Sequence, residues 1–501
     1  MPCSQDHGTE MNSNIDCVDA LPRPFLDGQS LESLSDVTIE VFNPSDGKPQ
    51  FSIPAGCDGD VERAVVSARR AFEHGGWSET PTTRKKVLHR FADLIARDCS
   101  VLDLLDAGEM GKPVSEKLFS ASAAADLVRF YAEAVDKVCG EVYGSDRHSL
   151  VAQRRVARGV VAAVVPWNFP TYNVVLKVAP ALAAGNCVVL KPSELASRAA
   201  CKLARLAIEA GVPIGAFNVV LGLGQTVGRA LALHADVDML TFTGSTAVGK
   251  AMLQYAGQSN MKVVLAECGG KSPQVVFADG VDLDAASASV ARMLVTNQGQ
   301  ICSVGSRLIV QRSIESEFVE RIAAYLQHIV VGDARDPSTT FGPLASAKQY
   351  ARVMQFIDSG QRVGAQLVSG GRRIREDSGG YFVEPTIFRN VSPQARIAQE
   401  EIFGPVLSVM SFETEEEAIA IANSTIFGLA AYVWTASLST GMKLARGIRS
   451  TVLVNAASPL GEGAGHAASF EPARQSGFGV EGGLPGMESY MRRQLIWFNH
   501  A

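Results

Sequence analysis

Two residues of this chain have the types and surroundings that covalent chemistry on a carbonyl group requires. Cys302 follows the polar run Asn297-Gln298-Gly299-Gln300-Ile301, and Glu267 precedes Cys268-Gly269-Gly270-Lys271. A loop thiol that ionises can attack a carbonyl carbon, and nearby backbone N–H groups can hold the oxyanion that forms. A carboxylate can then activate water. The common alternatives are a buried cysteine that packs as a small hydrophobe and a glutamate in a structural salt bridge.

The composition favours a folded protein that acts on a small molecule. The chain has 501 residues, enough for about two or three domains. Hydrophobic residues make up 47% and charged residues 20%, with a net charge of −6. These values indicate neither disorder nor the basic surface that nucleic acid or an anionic membrane requires.

The N-terminal sequence and the cysteines predict a cytoplasmic protein with reduced thiols. The start has no basic region followed by an apolar one, and no apolar stretch reaches the length of a membrane span. The nine cysteines are odd in number and form no CxxC pair, so we expect neither disulfides nor a metal site.

Short apolar runs alternate with helical stretches from about residue 159 to 267. Runs that are apolar on both faces predict buried parallel strands joined by helices, which is a doubly wound sheet. Ligands bind at the carboxyl ends of such strands, where functional residue types occur in this chain. The predicted strands are Val160 to Val165, Cys187 to Leu190, Phe217 to Leu221, Met239 to Phe242 and Val263 to Ala266.

A second series of strands and helices follows residue 270 and predicts a second α/β domain. Cys302 lies between the first helix of this series and the next strand, which favours a site in the cleft between the two domains. The segment Ser458 to Ala468, rich in Gly and Ala, is predicted to be a mobile loop. The predicted strands are Gln274 to Phe277, Leu308 to Val310, Val406 to Val409, Tyr432 to Trp434 and Val452 to Val454.

Six segments together resemble motifs of the aldehyde dehydrogenase superfamily, in order and from about residue 35 to 498. Any one of them is a weak pattern, but six in order are specific. They are Pro166-Trp167-Asn168-Phe169-Pro170, Lys191-Pro192-Ser193-Glu194, Phe242-Thr243-Gly244-Ser245, Glu267-Cys268-Gly269-Gly270-Lys271, Asn297 through Cys302, and Glu400-Glu401-Ile402-Phe403-Gly404-Pro405.

The resemblance implies two doubly wound α/β domains, a variant Rossmann nucleotide domain and a catalytic domain, with a small bridging β-sheet. Residues 1–140 and 162–267 would form the NAD-binding domain, and residues 268–470 the catalytic domain. Residues 141–161 and 471–501 would form bridging elements that assemble a homodimer or homotetramer.

By the same resemblance, Cys302 attacks an aldehyde, and the Asn168 amide with the Cys302 N–H holds the alkoxide. Loss of hydride to the cofactor leaves a thioester, and Glu267 activates the water that hydrolyses it. Lys177 matches a lysine near the family's active site, with a snorkelling surface lysine as the alternative.

The resemblance also implies NAD as the cofactor. Lys191 and Glu194 would bind the adenosine ribose, where a carboxylate repels a 2′-phosphate and so favours NAD over NADP. Ser245 opens a helix that can receive the pyrophosphate. Surface charges and a simple helix cap are the alternatives. The full predicted set is Val165, Trp167, Lys191, Ser193, Glu194, Gly224, Gly228, Phe242, Gly244, Ser245, Glu401 and Phe403.

The substrate end is the least determined part of the resemblance. Residues 469–477 depart from the family pattern at the substrate mouth, and Cys268 replaces a usual leucine. Short segments resemble the branch that oxidises γ-glutamyl-γ-aminobutyraldehyde and related aminoaldehydes. Ordinary core packing is an equal alternative for the predicted pocket residues, which are Tyr172, Leu176, Ile301, Ser303 and Phe470.

Three rival interpretations remain beside a hydrolytic NAD-dependent enzyme. One is a CoA-acylating relative, a class that typically lacks the water-activating glutamate found here as Glu267. A second is a semialdehyde dehydrogenase that prefers NADP. The third belongs to another class, a catalytically silent binding or structural protein on the same scaffold, and the joint presence of Cys302, Glu267 and Asn168 argues against it.

Overall fold

Two large sheets flanked by helices and one small sheet form the framework of the chain. The structure, a computed structural model, describes residues 21–456 and 465–499. Most of the segment Ser458 to Ala468, predicted to be a loop, lies outside the described residues. Among the helices of the described part, none has the length and apolar character needed to cross a bilayer.

The first sheet has eight strands, of which the central five are parallel. Their chain order across the sheet is third, second, first, fourth and fifth, which places a topological switch point between the first and the fourth. In spatial order the strands are Gln29–Ser30, Phe25–Leu26, Phe217–Val219, Cys187–Lys191, Val160–Val164, Met239–Thr243, Val263–Glu267 and Gly477–Phe478.

The register of these strands brings the predicted motif loops to one edge. Val164 is paired with Lys191 and with Phe242, while Thr243 is paired with Glu267. The strands Val160–Val164 and Cys187–Lys191 are buried along their whole length, as their uninterrupted apolar sequences predict.

The strand predicted for Phe217 to Leu221 ends earlier, at Val219. The Val220 N–H still donates to the Leu190 carbonyl, and the chain then turns away at Gly222, whose φ is 137°. Only glycine adopts that backbone conformation without strain, so the strand cannot continue through it.

The second sheet has seven strands, six of them parallel with one antiparallel edge strand. Apolar side chains pack on both of its faces. Cys302 lies in the loop before the strand Arg307–Gln311, as predicted. In spatial order the strands are Gln366–Ser369, Thr386–Arg389, Val406–Phe412, Arg307–Gln311, Pro273–Val276, Ala430–Trp434 and Thr451–Val454.

The small sheet consists of Met491–Asn499, Ser149–Ala157 and Glu141–Tyr143, all antiparallel. The predicted fold class, two doubly wound α/β units with a small separate sheet, is confirmed. Gly477–Phe478 lies among the residues assigned from sequence to bridging elements, yet it pairs with Val263–Glu267 of the first sheet. The remaining strand pairs are Thr38–Phe42 with Pro49–Pro54 and Phe427–Gly428 with Ala473–Arg474.

Helices connect the strands and cover the sheets. They span Asp58–His74, Pro81–Arg97, Cys99–Met110, Ala121–Ala134, Pro170–Ala183, Arg198–Ala210, Arg229–Leu233, Thr246–Gln258, Leu283–Val295, Glu315–Leu326, Ala347–Arg362, Arg396–Gln399, Glu415–Ala422, Leu438–Gly447 and Gly483–Ser489. Shorter helical turns span Trp77–Glu79, Gly224–Gly228, Thr296–Gly299, Arg312–Ile314, Glu376–Ser378 and Gly465–Ala467.

Candidate active site

One cavity of about 770 Å³ runs between the two large sheets and contains the cysteine and the glutamate with which the sequence analysis began. Cys302, Glu267 and Asn168 line its middle. Glu194, Ser245, Glu401, Phe403 and Trp167 line one end, called here the cofactor end. The other, called the substrate end, is lined by Phe119, Leu127, Phe169, Tyr172, Leu176, Ile301, Ser303, His466, Phe470 and Glu481.

The turn before Cys302 holds a strained backbone that aims the thiol into the cavity. Asn297, Gln298 and Gly299 have φ values of 46°, 56° and 69°. For the two non-glycine residues this left-handed conformation is costly, so tertiary contacts must hold it. A Cβ atom at Gly299 would lie 2.5 Å from the Gly404 carbonyl oxygen, so the loop can pack this closely only with glycine there.

Asn168 is held against this turn by hydrogen bonds from both sides. The Asn297 Nδ2 group donates to the Asn168 carbonyl at 2.7 Å, and the Asn168 Nδ2 group donates to the Gln300 carbonyl at 2.9 Å. Asn173 donates to Asn168 Oδ1 at 3.2 Å, which fixes the orientation of the amide. An amide nitrogen carries two hydrogens, so the second remains for a group in the cavity.

Cys302 is half-buried in the wall of the cavity. Burial, with the carboxyl groups of Glu401 and Glu267 nearby, raises the pKa of Cys302 to about 12. A thiol attacks carbonyl carbon only as the thiolate, so a change in charge around Cys302 must accompany reaction.

Glu267 lies at the carboxyl end of its strand and is 7% exposed. Burial is the main cause that raises its pKa well above the usual value, and the charge of Glu481 adds to it, while Lys177 opposes it. A carboxyl group with a raised pKa can accept a proton near neutral pH, as a general base must.

The two glycines after Glu267-Cys268 allow other groups to approach the backbone closely. A Cβ atom at Gly269 would lie 2.5 Å from Glu401 Oε2, and one at Gly270 would lie 2.2 Å from the Cys302 carbonyl oxygen. The Gly270 N–H donates to Glu401 Oε1 at 3.0 Å. Burial raises the pKa of Glu401 to about 7. Any side chain at these two positions would therefore displace Glu401 or the cysteine loop.

Lys177 lies behind the cavity wall, where it forms a buried ion pair with Glu481. Burial opposes its charge, but Glu481, Tyr490 and Glu267 outweigh that effect and raise the pKa of Lys177. The Glu481 N–H donates to the Phe470 carbonyl at 3.0 Å, and the Phe470 N–H donates to the Glu481 carbonyl at 2.9 Å. The lysine is thus not a snorkelling surface residue, and its partner brings Phe470 to the substrate end.

The cofactor end combines charged, polar and aromatic groups at the carboxyl edge of the first sheet. Lys191 is buried and lies 3.3 Å from the carboxylate of Glu194, which is half-exposed. Ser245 caps the helix Thr246–Gln258 by accepting from the Val248 N–H at 3.4 Å. The rings of Trp167 and Phe403 meet edge to face, with centroids 5.3 Å apart, and form an apolar wall.

Six of the residues predicted for the cofactor, Lys191 among them, do not line the cavity. The Val165 N–H donates to the Lys191 carbonyl, and Ser193 Oγ accepts from the Leu195 N–H. The Phe242 ring packs against Gly244, where an added Cβ atom would lie only 2.5 Å from the ring. The other two, Gly224 and Gly228, form a separate helical turn after the strand Phe217–Val219.

The substrate end is mainly apolar and aromatic. The ring of Phe119 lies 4.8 Å from that of Phe169 and 4.6 Å from that of Tyr172, measured between centroids. His466 is a polar exception. Its Nδ1 atom is buried without a hydrogen-bond partner, and burial lowers its pKa, which keeps the ring neutral.

Comparisons with known proteins agree with this geometry. A model of the Aldehyde dehydrogenase family matches residues 31–496. The chain belongs to the aldehyde dehydrogenase family. It is 40% identical over 480 residues to the NADP/NAD-dependent aldehyde dehydrogenase PuuC of Escherichia coli (strain K12), with 95% of each chain covered.

Solved structures of other aldehyde dehydrogenases share the whole fold. An indole-3-acetaldehyde dehydrogenase of P. syringae, solved with NAD+ and IAA, matches with a TM-score of 0.93 and 43% identity, over 97% of this chain and 99% of that one. A γ-glutamyl-γ-aminobutyraldehyde dehydrogenase from Burkholderia cenocepacia J2315 matches with a TM-score of 0.92, also at 43% identity and with the same coverage. The predicted enzyme class, aldehyde oxidation with a nicotinamide cofactor, is confirmed.

The cofactor end of this aldehyde dehydrogenase fits a nicotinamide dinucleotide. The first turn of the helix Thr246–Gln258 opens at the cavity, where backbone N–H groups favour a pyrophosphate. Thr243 Oγ1 is buried there without a partner. The carboxylate of Glu194, paired with the buried Lys191, offers an acceptor to a ribose hydroxyl, and the wall of Trp167 and Phe403 suits an aromatic ring.

Sequence reasoning missed several residues at the substrate end of the dehydrogenase. Phe119, Leu127, His466 and Glu481 line the cavity but lie outside the six motifs. Glu481 carries the only signal that could have been used, since a lone glutamate in an otherwise apolar and glycine-rich stretch invites a search for a buried partner.

Proposed function

We propose that this aldehyde dehydrogenase oxidises its substrate hydrolytically with NAD, through a thioester on Cys302. The observation that carries the proposal is the convergence of Cys302, Glu267 and Asn168 in the middle of a single cavity whose one end suits a dinucleotide. A silent scaffold protein would have no need of the strained turn that aims the thiol.

In the proposed reaction, Cys302 loses its thiol proton to solvent, and the thiolate forms a C–S bond with the aldehyde carbon as the C=O π bond breaks. The free hydrogen of Asn168 Nδ2 and the Cys302 N–H stabilise the resulting alkoxide. Loss of hydride from this carbon leaves a thioester on Cys302, and a bound nicotinamide would supply the hydride acceptor. Glu267 then accepts a proton from water that attacks the thioester carbon, and the C–S bond breaks to release the acid and Cys302.

Lys177 and Glu481 are proposed to set the charge of Glu267 during this cycle. Glu481 raises the pKa of Glu267 and Lys177 lowers it, so the balance of the two charges sets the basicity of Glu267. Glu267 also favours hydrolysis over transfer to CoA, because it can take a proton from the water that attacks the thioester.

The proposed substrate is an aminoaldehyde such as γ-glutamyl-γ-aminobutyraldehyde. Its support is the similarity to PuuC and to the Burkholderia cenocepacia enzyme. A second candidate is an arylacetaldehyde, which the rings of Phe119, Tyr172 and Phe470 favour and which the P. syringae relative oxidises by its printed name.

An aldehyde panel with NAD tests these proposals through the formation of NADH. We expect Cys302→Ala to lower turnover at least about 1000-fold for every aldehyde. Cys139→Ala, which removes an exposed thiol, is the matched control and keeps wild-type turnover. Wild-type turnover by Cys302→Ala would overturn the mechanism, and an acyl-CoA product in the presence of CoA would overturn the hydrolytic assignment.

We further propose that the small sheet joins subunits into a homodimer or homotetramer. Leu495 and Trp497 are 56% and 67% exposed on one face, and Phe498 and Val142 are 59% and 75% exposed on the other. Apolar exposure on both faces of a sheet is typical of an interface. Sedimentation should find an oligomer that Trp497→Glu weakens, and a wild-type monomer would contradict the proposal.

A further inference from the structure

The helix Cys99–Met110 carries three carboxyl side chains on one face. Each of them accepts a hydrogen bond from a backbone N–H group at the start of a different helix. Asp103, Asp106 and Glu109 are three residues apart, so they lie along one side of the helix. Asp103 Oδ1 accepts from the Ala121 N–H at 3.0 Å, at the start of Ala121–Ala134. The first N–H groups of a helix have no partner within it, and a carboxylate there also interacts favourably with the helix dipole.

Asp106 holds the start of the helix Pro170–Ala183. Its two carboxylate oxygens each lie 3.3 Å from the Thr171 backbone nitrogen, and Thr171 Oγ1 donates to Oδ1 at 2.9 Å. Both residues are fully buried. Thr171 follows Asn168 by only three residues, so the carboxylate fixes the backbone from which the proposed oxyanion donor projects.

Glu109 holds the start of the helix Arg198–Ala210 in the same way. Its Oε1 atom accepts from the Ser197 and Arg198 N–H groups at 3.2 and 3.1 Å. Ser197 follows Glu194 by three residues. The middle of the cavity and its cofactor end are therefore tied to one helix, through carboxyl groups that are about a single turn apart.

Ordinary helix caps do not serve at these two positions. Neither Phe169 nor Ser197, the residues that precede the two helices, caps its helix with a side chain. Ser120 caps the helix Ala121–Ala134 with its own side chain by accepting from the Ala123 N–H, so Asp103 is a second acceptor at that helix start. The helices that follow Asn168 and Glu194 depend on carboxylates from outside, which is the more costly arrangement because a buried charge must be desolvated.

The cost is visible in the ionisation of both groups. Burial raises the pKa of Asp106 to about 7 and that of Glu109 to about 8. Lys112 opposes the shift at Asp106, and Asp103 adds to it. Arg198 opposes the shift at Glu109, and Asp106 adds to it.

We propose that Asp106 and Glu109 are positioning residues, Asp106 for the chemical step and Glu109 for cofactor binding. Asp106 positions Asn168 for the alkoxide, and Glu109 positions Glu194 for the cofactor. The inference rests on the proposed roles of Asn168 and Glu194. Neither carboxylate touches substrate or cofactor, so each acts only through the helix start that it holds.

The test is a split between kcat and KM for NAD in matched variants. Asp106→Asn should lower kcat about tenfold and leave KM for NAD within about twofold. Glu109→Gln should raise KM for NAD about tenfold with kcat changed less than about threefold. Asp103→Asn, which alters the same kind of contact at a helix with its own cap, should change neither value by more than about twofold.

Thermal unfolding of every variant separates positioning from folding. If Asp106→Asn does not fold, Thr171→Val, which removes the side-chain half of the contact, carries the same kcat readout with a smaller loss. A parallel fall in kcat and rise in KM in both variants, or wild-type values in both, overturns the inference. The variants Asn168→Ala and Glu194→Gln test the proposed roles of Asn168 and Glu194. Wild-type kcat and KM values in those two variants would overturn the proposed roles. Losses in those two, beside unchanged values in Asp106→Asn and Glu109→Gln, would overturn only the positioning.

Discussion

The cofactor end and the substrate end of the cavity are built in different ways. Three loops that follow the parallel strands of the first sheet form most of the cofactor end, and strand register brings their first residues together. The substrate end consists of side chains on and just before two helices, Ala121–Ala134 and Pro170–Ala183, of Ile301 and Ser303 beside the nucleophile, and of an irregular segment near the C-terminus.

The difference explains how one scaffold can keep its chemistry while its substrate changes. A loop at a strand end is fixed by the hydrogen bonds of the sheet, so a change in it disturbs the fold. A side chain on the cavity face of a helix can be replaced at a cost limited to local packing. We therefore expect variants at the substrate end to alter which aldehyde reacts, and variants elsewhere in the cavity to alter reaction with every aldehyde.

The largest effect is expected from Glu267→Gln, in the middle of the cavity. Steady-state turnover should fall about 100-fold to 10,000-fold because no base activates water. Rapid mixing should still give a burst of about one NADH per site, since formation of the thioester does not require that base. A steady-state rate equal to that of the wild type would show that another group activates the water.

The ionisation of Cys302 gives the next largest effect. Because burial raises the pKa of Cys302 to about 12, the thiolate fraction should rise about tenfold for each pH unit between 7 and 9. Alkylation by iodoacetamide, followed at Cys302 by mass spectrometry, should rise about 100-fold over that range without a plateau. A plateau below pH 8 would mean that the thiol is already activated before ligands bind.

At the cofactor end, Glu194→Gln should change the preference between the two nicotinamide dinucleotides. Loss of the charge weakens the hydrogen bond to the ribose and removes the repulsion of a 2′-phosphate. The ratio of kcat/KM for NAD to that for NADP should fall about tenfold with every aldehyde. Glu209→Gln, at an exposed carboxylate paired with Arg97, is the control and should leave the ratio unchanged.

The smallest effect is expected at the substrate end, from Phe119→Ala. Its ring contacts those of Phe169 and Tyr172, so its loss should raise KM for an arylacetaldehyde about fivefold. KM for acetaldehyde and for NAD should stay at the wild-type values. An equal rise in KM for all three would remove the distinction between the two ends.

Much of the fold could be predicted because burial on both faces leaves a plain pattern. The apolar strands Val160–Val164 and Cys187–Lys191 were predicted to within a residue. The pairing of Gly477–Phe478 with the strand Val263–Glu267 was not, because a two-residue strand has too little sequence to show a period. Cys302, Glu267 and Asn168 themselves line one cavity between the two large sheets, where the sequence placed the site.

The rest of the cavity could not be predicted, because its residues lie far apart along the chain and meet only in the folded protein. Lys177 and Glu481 are 304 residues apart and meet only because the C-terminal segment returns to the helix Pro170–Ala183. The same holds for the contact of Asp106 with Thr171, since a buried carboxylate on an amphipathic helix looks in sequence like a surface charge.

The two α/β units, the aldehyde dehydrogenase family and the order of the motifs could be predicted from the sequence, because hydrophobic periodicity and short contiguous motifs are local properties. The tertiary structure alone decided the charge state of Cys302 and Glu267, since a pKa depends on burial and on neighbours that the chain brings together from a distance. It also decided the shape of the substrate end, whose aromatic and polar side chains share a surface but no sequence motif.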